Sequence, residues 1–469
     1  MEQRVLPKTL DYTDVLPLAV ESRSRRRTFF PINGQTFNSG GANIIRIDLS
    51  ADALLDTQHS YLRFTMTPKT NSGGIDFAGG HSFIRRLRVE QSGVVLEDIN
   101  SYNRLMGAVV LPCQSGDDHH KERSLTEGVR LPNQLGRYLT TTSITSQVDN
   151  ITAASQTSSA NAGGLIHNKD TQIQADASYV FTIPLNSGIL NNEKLIPLML
   201  MSAPLTIEIE LCPSAQSLCW NTAAGTFDIS NVRYIANLIE VGQDVAGQLR
   251  MVQEMSGGVL TLAGQTYRHF SGAITATAGN QIINVPARVK SMKSMFFVSQ
   301  GTGAGGVTGD SATTYDISFG GSMKLNEYQL KIGSVVYPPT PVKCSFNQGT
   351  IASDDTAHVR SEPLMELAKA WGNVGSTKGL GRLSAFNYSA IESTRAVTDG
   401  QYVFAPFGLD LEAFQRVAIE SGVNTADRSL PISLVLDYTN APTAQNVDVY
   451  VLADALFYIN GDGSMSVSV

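Results

Sequence analysis

The alternation of apolar and polar residues predicts a chain built mainly of β-strands. Ile45, Ile47 and Leu49 alternate with polar neighbours, and this period of two is typical of a half-buried strand. Similar strand signals lie at 61–66, 83–90, 179–181, 205–211, 232–241, 282–285, 295–299 and 447–452. Two stretches, 99–110 and 363–371, instead have the spacing of an amphipathic helix.

The order of these signals occurs twice along the chain. A strand, a Ser92-Gly93 turn and a strand from Val94 return as a strand, a Gly333-Ser334 turn and a strand from Val335, at an offset of 241 residues. Three further pairs share this order: Tyr179–Phe181 with Tyr402–Phe404, Leu205–Leu211 with Leu430–Leu436, and Asn231-Val232 with Asn446-Val447. Their offsets drift modestly, as expected for two similar units that differ in loop length.

The two halves therefore predict two β-sandwiches in succession. Many short strands separated by Gly/Pro-rich turns are typical of a sandwich or a barrel, and eight strands in two packed sheets form a jelly roll. We predict an all-β protein of two successive eight-stranded jelly rolls with short helices in the loops. An N-terminal arm would span 1–30, the first jelly roll 31–245 and the second 246–469, while the strand order stays open.

Composition favours a protein that packs against neighbours. Charged residues make up 16% of the chain, below the roughly 25% of an average soluble domain. A monomer with a surface rich in Ser, Thr and Asn would also fit. The net charge of −7 argues against a general nucleic-acid binder, because such binding depends on neutralising phosphates.

One basic cluster stands out on this acidic chain, formed by Arg23, Arg25, Arg26 and Arg27. These arginines are candidates for contact with the phosphates of nucleic acid or of lipid headgroups. Two other interpretations are docking of an arm on an acidic neighbouring subunit and a solvated tail.

Cysteine usage and the N-terminus predict a protein made without a secretory signal. The four cysteines fit no common zinc spacing, and with no signal segment at the N-terminus they are expected to be free thiols. The most apolar run, 195–205, is short and broken by Pro197 and Pro204, so no membrane span is expected.

The candidate catalytic and ligand-binding motifs are weak. Gly301–Gly306 fits a G-x-G-x-x-G pattern, but no helix signal follows to hold a pyrophosphate. Asp117–Glu122 is dense in possible metal ligands, although adjacent residues cannot all converge on one ion. Neither a G-x-S-x-G elbow nor a His-Glu-x-x-His pair occurs. We therefore predict no enzyme, no cofactor and no metal site, and we read the sequons at Asn150 and Asn387 as chance.

Three groups of stretches carry a family resemblance. They are Phe83–Val89 with Leu96–Tyr102, Tyr328–Ser334 with Tyr337–Pro339, and the end of the chain from Asp448–Asp454 to Gly463. With them the chain resembles the double jelly-roll major capsid proteins of double-stranded DNA viruses, most closely the polinton-like and virophage-like group. The stretches bear on the fold and contain no catalytic signature.

The resemblance implies a subunit of a virion shell. It implies homotrimers with a pseudo-hexagonal outline that build an icosahedral capsid, with penton and minor capsid proteins as further partners. It also places the N-terminal segment on the inner side, near a membrane or the genome, which would give Arg23 to Arg27 an inner-face role. The rivals are a soluble carbohydrate-binding β-sandwich protein, weakened by the presence of only two tryptophans, and a viral spike or fibre.

Overall fold

The structure is a computed structural model and describes most of the strand-forming parts of the 469-residue chain. The described residues are 22–69, 74–75, 78–114, 123, 126–128, 176, 178–213, 218–219, 226–301, 317, 325–344, 361–372, 383, 406–412, 422–438, 441–442 and 444–469.

The first half forms two facing antiparallel sheets. Their strands are β1 (Ser22–Phe29), β2 (Thr36–Asn38), β3 (Ile44–Leu49), β4 (Leu54–Pro68), β6 (Ile84–Gln91), β7 (Val94–Asn100), β8 (Tyr179–Ile183), β9 (Ile196–Pro197), β10 (Leu205–Leu211) and β12 (Phe227–Val241). A short separate pair joins β5 (Gly74–Ile75) to β11 (Leu218–Cys219). One sheet follows the path β1-β12-β4-β8, with β2 on β12 and β9 on β4, and the other follows β3-β10-β6-β7.

The second half repeats this arrangement. Its strands are β13 (Val259–Ile274), β14 (Gly279–Asn284), β15 (Met292–Gly301), β16 (Glu327–Ile332), β17 (Val335–Lys343), β18 (Phe407–Asp410), β19 (Ile432–Tyr438), β20 (Gln445–Asn460) and β21 (Met465–Ser468). One sheet follows β13-β20-β15-β18, with β21 on β20, and the other follows β14-β19-β16-β17. Taken in chain order, the two halves have the same strand plan, which confirms the predicted class of two successive jelly rolls.

The register confirms part of the repeat and corrects one pair. Val94 and Val335 both begin the strand after the turn, and Gly93 and Gly333 both take the positive φ that a tight hairpin turn requires. Leu205 pairs with Gln91 just before the first turn, whereas Ile432 pairs with Ile332 just before the second. Leu205 therefore corresponds to Ile432, two residues beyond the predicted partner Leu430. The predicted counterpart of Tyr179, Tyr402, lies outside the described residues.

The opening strand of each half is absent from the sequence prediction. Residues 22–29, which the predicted arm of 1–30 included, form β1 and pair along their whole length with β12, from Ser22 opposite Val241 to Phe29 opposite Tyr234. This strand has no apolar alternation, because its first six residues are exposed. β13 pairs just as completely with β20, and it too has an irregular burial pattern.

A helix connects the two jelly rolls where the sequence indicated only a polar boundary. This linker helix spans Gln243–Met255, with Asp244 in its first turn, where a negative charge favours the helix dipole. Beyond its end at Met255, Gly257 and Gly258 both take positive φ and donate backbone hydrogen bonds to the carbonyls of the last turn. The boundary between 245 and 246 remains a prediction, and it falls within this helix.

Helical segments also follow the hairpin in each half, as predicted. Residues Tyr102–Gln114 are helical, with π-type winding over Leu105–Val110, and Ser361–Ala370 form an α-helix. Short 3₁₀ turns lie at Gly79–Phe83 and Leu198–Leu200. The prolines at 338, 339 and 341 lie in β17, an edge strand, where a missing N–H costs no ladder bond on the open side.

The core of the first jelly roll continues into the second. Val447, Val449 and Val451 face the core of the second jelly roll, whereas Tyr450 and Leu452, on the other face of β20, belong to the cluster that fills the first. The sequence predicted a strand with one buried face, but β20 is buried on both because the first half covers its outer face. The two jelly rolls therefore share one packed interface.

Candidate assembly site

The contact between the two jelly rolls contains a buried arginine. Arg104 lies in the helical segment that follows β7 and is only 3% exposed. Its guanidinium donates to Asp448 (3.3 Å), to the carbonyl of Ser299 (2.6 Å) and to the carbonyl of Ile317. One side chain of the first half thus binds three separate segments of the second.

Asp448 balances the charge of Arg104 at this contact. Its other carboxylate oxygen accepts a hydrogen bond from Nε2 of His269 at 2.8 Å. Burial by itself would raise the pKa of Asp448, but the hydrogen bond from His269 and the charge of Arg104 outweigh burial and lower it. The Tyr450 hydroxyl adds a hydrogen bond to the carbonyl of Ser101 (3.1 Å). Such a paired buried cluster fixes one relative orientation of its two sides.

A second polar contact involves Glu97 on β7. Its carboxylate accepts hydrogen bonds from the Ser187 hydroxyl and from the backbone N–H of Gly188 at 3.0 Å, and Thr266 of β13 also donates to it. Burial raises the pKa of Glu97 above its ordinary range, although these hydrogen bonds oppose the shift. Glu97 thereby ties β7 to both the 187–192 turn and the second jelly roll.

The C-terminal hairpin also contacts the first jelly roll through hydrogen bonds. The amide of Gln91 accepts from the backbone N–H of Met465 (2.6 Å) and donates to the carbonyl of Gly463 (3.1 Å). The backbone N–H of Ser202 also donates to the carbonyl of Gly463 (3.0 Å). Together, these contacts make the two jelly rolls a single body that can act as one building block.

The arginine cluster lies on an edge strand. Arg25 forms an ion pair with Glu240 (3.1 Å), and the guanidinium of Arg26 lies 6.0 Å from the ring centre of Tyr61. Arg27 lies 4.8 Å from the ring centre of Phe29, and Arg23 is exposed near the start of β1. All four are exposed, and a charged edge strand resists pairing with other chains. Which partner the four arginines contact stays a prediction.

Several large apolar side chains are exposed outside the core, where a partner surface could cover them. They are Phe30, Ile32, Ile44, Val94, Val95, Val180, Met251, Val252, Met255, Ile282, Val335 and Met365. Three of these, Met251, Val252 and Met255, lie on the linker helix. Where exposed apolar groups form a contiguous patch, they mark a surface for association.

The weaker chemical candidates gain no support. Asp117–Glu122, Gly303–Gly306 and both sequons lie outside the described residues. Within the described part of the chain, no group of three or more His, Cys, Asp and Glu side chains could hold a metal ion.

Cys113, Cys212 and Cys344 are buried free thiols. Among the described residues, no helix is long and apolar enough to cross a membrane.

Sequence reasoning missed the residues that join the two jelly rolls. Glu97 and Gln91 lie in or directly after predicted strands, and Arg104 lies within the predicted helix at 99–110, where all three look like ordinary outward-facing residues. Five histidines, His269 among them, lie outside the Asp117–Glu122 cluster, and none of them belongs to a recognisable motif. The contacts made by these residues span hundreds of positions, so no local pattern marks them.

Comparison with known proteins supports the fold alone. No protein-family model matches the chain, and no curated protein matches it. Solved structures match over nearly the whole chain. The Faustovirus major capsid protein has a TM-score of 0.59 at 9% identity, over 98% of this chain and 93% of its own. VP54 of PBCV-1, fitted into a reconstruction of the virophage Sputnik, has a TM-score of 0.57 at 10% identity, over 98% and 99%.

A third match points the same way. The structure of the Sputnik virophage determined by cryo-EM gives a TM-score of 0.53 at 10% identity, over 99% of this chain and 92% of its own. The chain therefore has the double jelly-roll fold found in major capsid proteins of viruses. The likeness covers 98–99% of this chain and 92–99% of the three matched chains, so it includes both jelly rolls as well as their connection.

Proposed function

We propose that the protein is the major capsid protein of a virus and forms the shell of the virion. The observation that carries the proposal is the pair of jelly rolls with one strand plan, fixed to each other by the Arg104 and Glu97 contacts. A rigid double unit is a building block, and the matched proteins that share it over nearly their whole length are viral capsid proteins. The role is structural rather than catalytic.

We further propose that three copies form a capsomer with a pseudo-hexagonal outline, and that capsomers close into an icosahedral shell. Three copies around a threefold axis bring together six similar jelly rolls, which gives a ring with a six-sided outline. The low content of charged residues and the exposed apolar side chains support burial of surface between copies. Penton and minor capsid proteins would complete the shell.

Light scattering on the purified chain, followed by negative-stain electron microscopy, tests this function. We expect a species of three times the 50.4 kDa chain mass and particles with a six-sided outline. A chain that stays monomeric at every concentration and forms no larger particle would contradict the proposal.

The arginines of β1 are proposed to contact phosphates on the inner face, of either the genome or a membrane. The support is the exposure of Arg23, Arg25, Arg26 and Arg27 on one strand of an acidic chain. Because β1 belongs to the sheet, substitution of the four arginines by Gln is a cleaner test than deletion. We expect shells that assemble but retain less nucleic acid or lipid. Unchanged retention would refute the inner-face role.

A further inference from the structure

Two equivalent sheets, β3-β10-β6-β7 of the first jelly roll and β14-β19-β16-β17 of the second, differ in the charge of their outward faces. In the first jelly roll, Glu208 on β10 lies between Arg46 on β3 and Arg88 on β6. Arg88 lies three positions before Gln91, the last residue of β6. The equivalent position of the second jelly roll is Gln329, three positions before Ile332, and its row places Val435 on β19 between Ile282 on β14 and Gln329 on β16. The same row across the sheet is thus charged in one jelly roll and uncharged in the other.

In the first jelly roll, the charged residues of this row form ion pairs with one another and with a neighbour on the same sheet. Glu208 forms ion pairs with Arg46 (2.7 Å) and Arg88 (3.6 Å), and Arg88 also pairs with Glu90 (3.3 Å). This face has balanced charges of its own and suits contact with water. Among the described residues, the second face has no such network of ion pairs. Ile282, in the middle of the edge strand β14, is 68% exposed. A second surface that covered Ile282 would remove its apolar side chain from water, which is favourable.

We define the neutral face as the nine outward residues of three neighbouring strands. They are Asn280, Ile282 and Asn284 of β14, Ser433, Val435 and Asp437 of β19, and Glu327, Gln329 and Lys331 of β16. Its charges lie at opposite ends, with Glu327 in the row of Asp437 and Lys331 in the row of Ser433. Within the described part of the chain, neither Glu327 nor Lys331 forms an ion pair.

This pattern is complementary to itself. If a second copy is turned by half a rotation about an axis along the row Ile282–Val435–Gln329, its strands run antiparallel over the first. Ile282 then meets Ile282 of the second copy, and Val435 meets Val435 of the second copy. Glu327 faces Lys331 of the second copy, and this ion pair forms twice across a twofold axis. Ser433 faces Asp437 of the second copy and can donate a hydrogen bond to it.

We propose that the neutral face binds the neutral face of a second copy of this chain, sheet against sheet. The inference rests on the proposed function, because it assigns a surface to the self-association proposed above. Copies with a net charge of −7 repel each other, so contact is favoured through a face on which six of the nine residues are uncharged and Lys331 can meet Glu327 of the second copy. Nine residues form a small contact, which suits a weak link that gains strength when many copies assemble.

A cysteine placed on the proposed axis tests the contact. In Ile282→Cys, the two thiols face each other across the axis. Stacked sheets lie roughly 10 Å apart, which is too far for a direct disulfide, so a short bis-maleimide reagent should link the two copies into a covalent dimer on a denaturing gel. Ile44→Cys is the matched control, since Ile44 is 38% exposed on β3, the strand equivalent to β14. Cys113, Cys212 and Cys344 are buried, which limits competing reactions. Circular dichroism verifies that both full-length variants fold.

Charge reversal tests the antiparallel register. Glu327→Lys and Lys331→Glu each replace two attractive contacts by two repulsive ones, so each should weaken assembly of capsomers by roughly tenfold. The double variant Glu327→Lys/Lys331→Glu restores opposite charges and should recover assembly. Recovery together with efficient cross-linking of Ile282→Cys supports the proposal.

Two outcomes overturn it. One is cross-linking of Ile282→Cys no better than that of Ile44→Cys, as expected if a different protein covers the face. The other is a double variant that assembles no better than either single variant. If trimers and shells still form in either case, only this contact is refuted. If no copy associates with another in any condition, the proposed capsid function fails as well.

Discussion

Arg104 is a buried cation of the first half that is bound by groups of the second half. Replacing it with Met would leave the carboxylate of Asp448 buried with the hydrogen bond from His269 but without its cation. Breaking a buried pair of this kind costs about 3–5 kcal/mol. We therefore expect Arg104→Met to lower the free energy of unfolding in urea by that amount.

The control for this variant is an exposed pair on the same jelly roll. Arg85 lies 3.6 Å from Glu210, with 57% of its side chain exposed. Arg85→Met should cost less than about 1 kcal/mol, because water screens the pair. Equal losses in the two variants would show that Arg104 is not a central contact.

The lowered pKa of Asp448 predicts a dependence on pH. Its carboxylate is harder to protonate in the folded chain than in the unfolded chain, whose ordinary pKa is about 3.9. The stabilisation is therefore fully present above that value and is lost as the pH falls through the lower folded value. Asp448→Asn cannot titrate, so its melting temperature should lie well below that of the parent at pH 7 and approach it near pH 3. A constant difference would contradict this account.

At the scale of elements, the two jelly rolls touch through backbone as well as side chains. A Cβ added at Gly188 would lie 2.4 Å from the carbonyl oxygen of Gln265 on β13. Gly188→Ala should therefore push the 187–192 turn away from the second jelly roll and cost about 1–3 kcal/mol. Gly247→Ala in the linker helix meets no atom within 4 Å and should stabilise by about 0.5–1 kcal/mol.

Thermal unfolding of both glycine variants measures this pair of effects. The prediction fails if Gly188→Ala is as stable as the parent protein. If Gly188→Ala lowers the stability and Gly247→Ala raises it, the loss at Gly188 comes from its close approach to Gln265 and not from the replacement of a glycine as such.

The sequence predicts a strand or helix well where one face of the element is buried and the other is exposed to solvent. β3, β10 and both hairpins follow such alternation and were predicted within a few residues. β1 was missed because its arginines hide the strand, and its pairing with β12 is a long-range contact. The linker helix was missed because Gly242 and Gly247 indicated a boundary between two units rather than a helix.

The candidate site was predicted less well than the fold. The arginines of β1 are a local cluster and are visible in the sequence. The Arg104, Glu97 and Gln91 contacts depend on which faces of two jelly rolls meet, and the neutral face emerges only when equivalent strands are compared in register. Tertiary contacts of this kind leave no periodic signal.

At the scale of the whole molecule, the shared core predicts one unfolding transition. Tyr450, Leu452 and Phe296 of the second jelly roll belong to the cluster that fills the first. Unfolding either half would expose this surface of the other. Differential scanning calorimetry should therefore give a single peak, and two peaks separated by 10 °C or more, a rough threshold for independent domains, would contradict a single body.

We propose that this double jelly roll is a shell-forming subunit. The most direct measurement is cryo-electron microscopy of particles assembled from the full-length chain. The account predicts closed shells whose capsomers each hold three copies, with two upright jelly rolls per copy fitting the density. Particles that lack this arrangement, or a chain that remains a dispersed monomer under all assembly conditions, would contradict it.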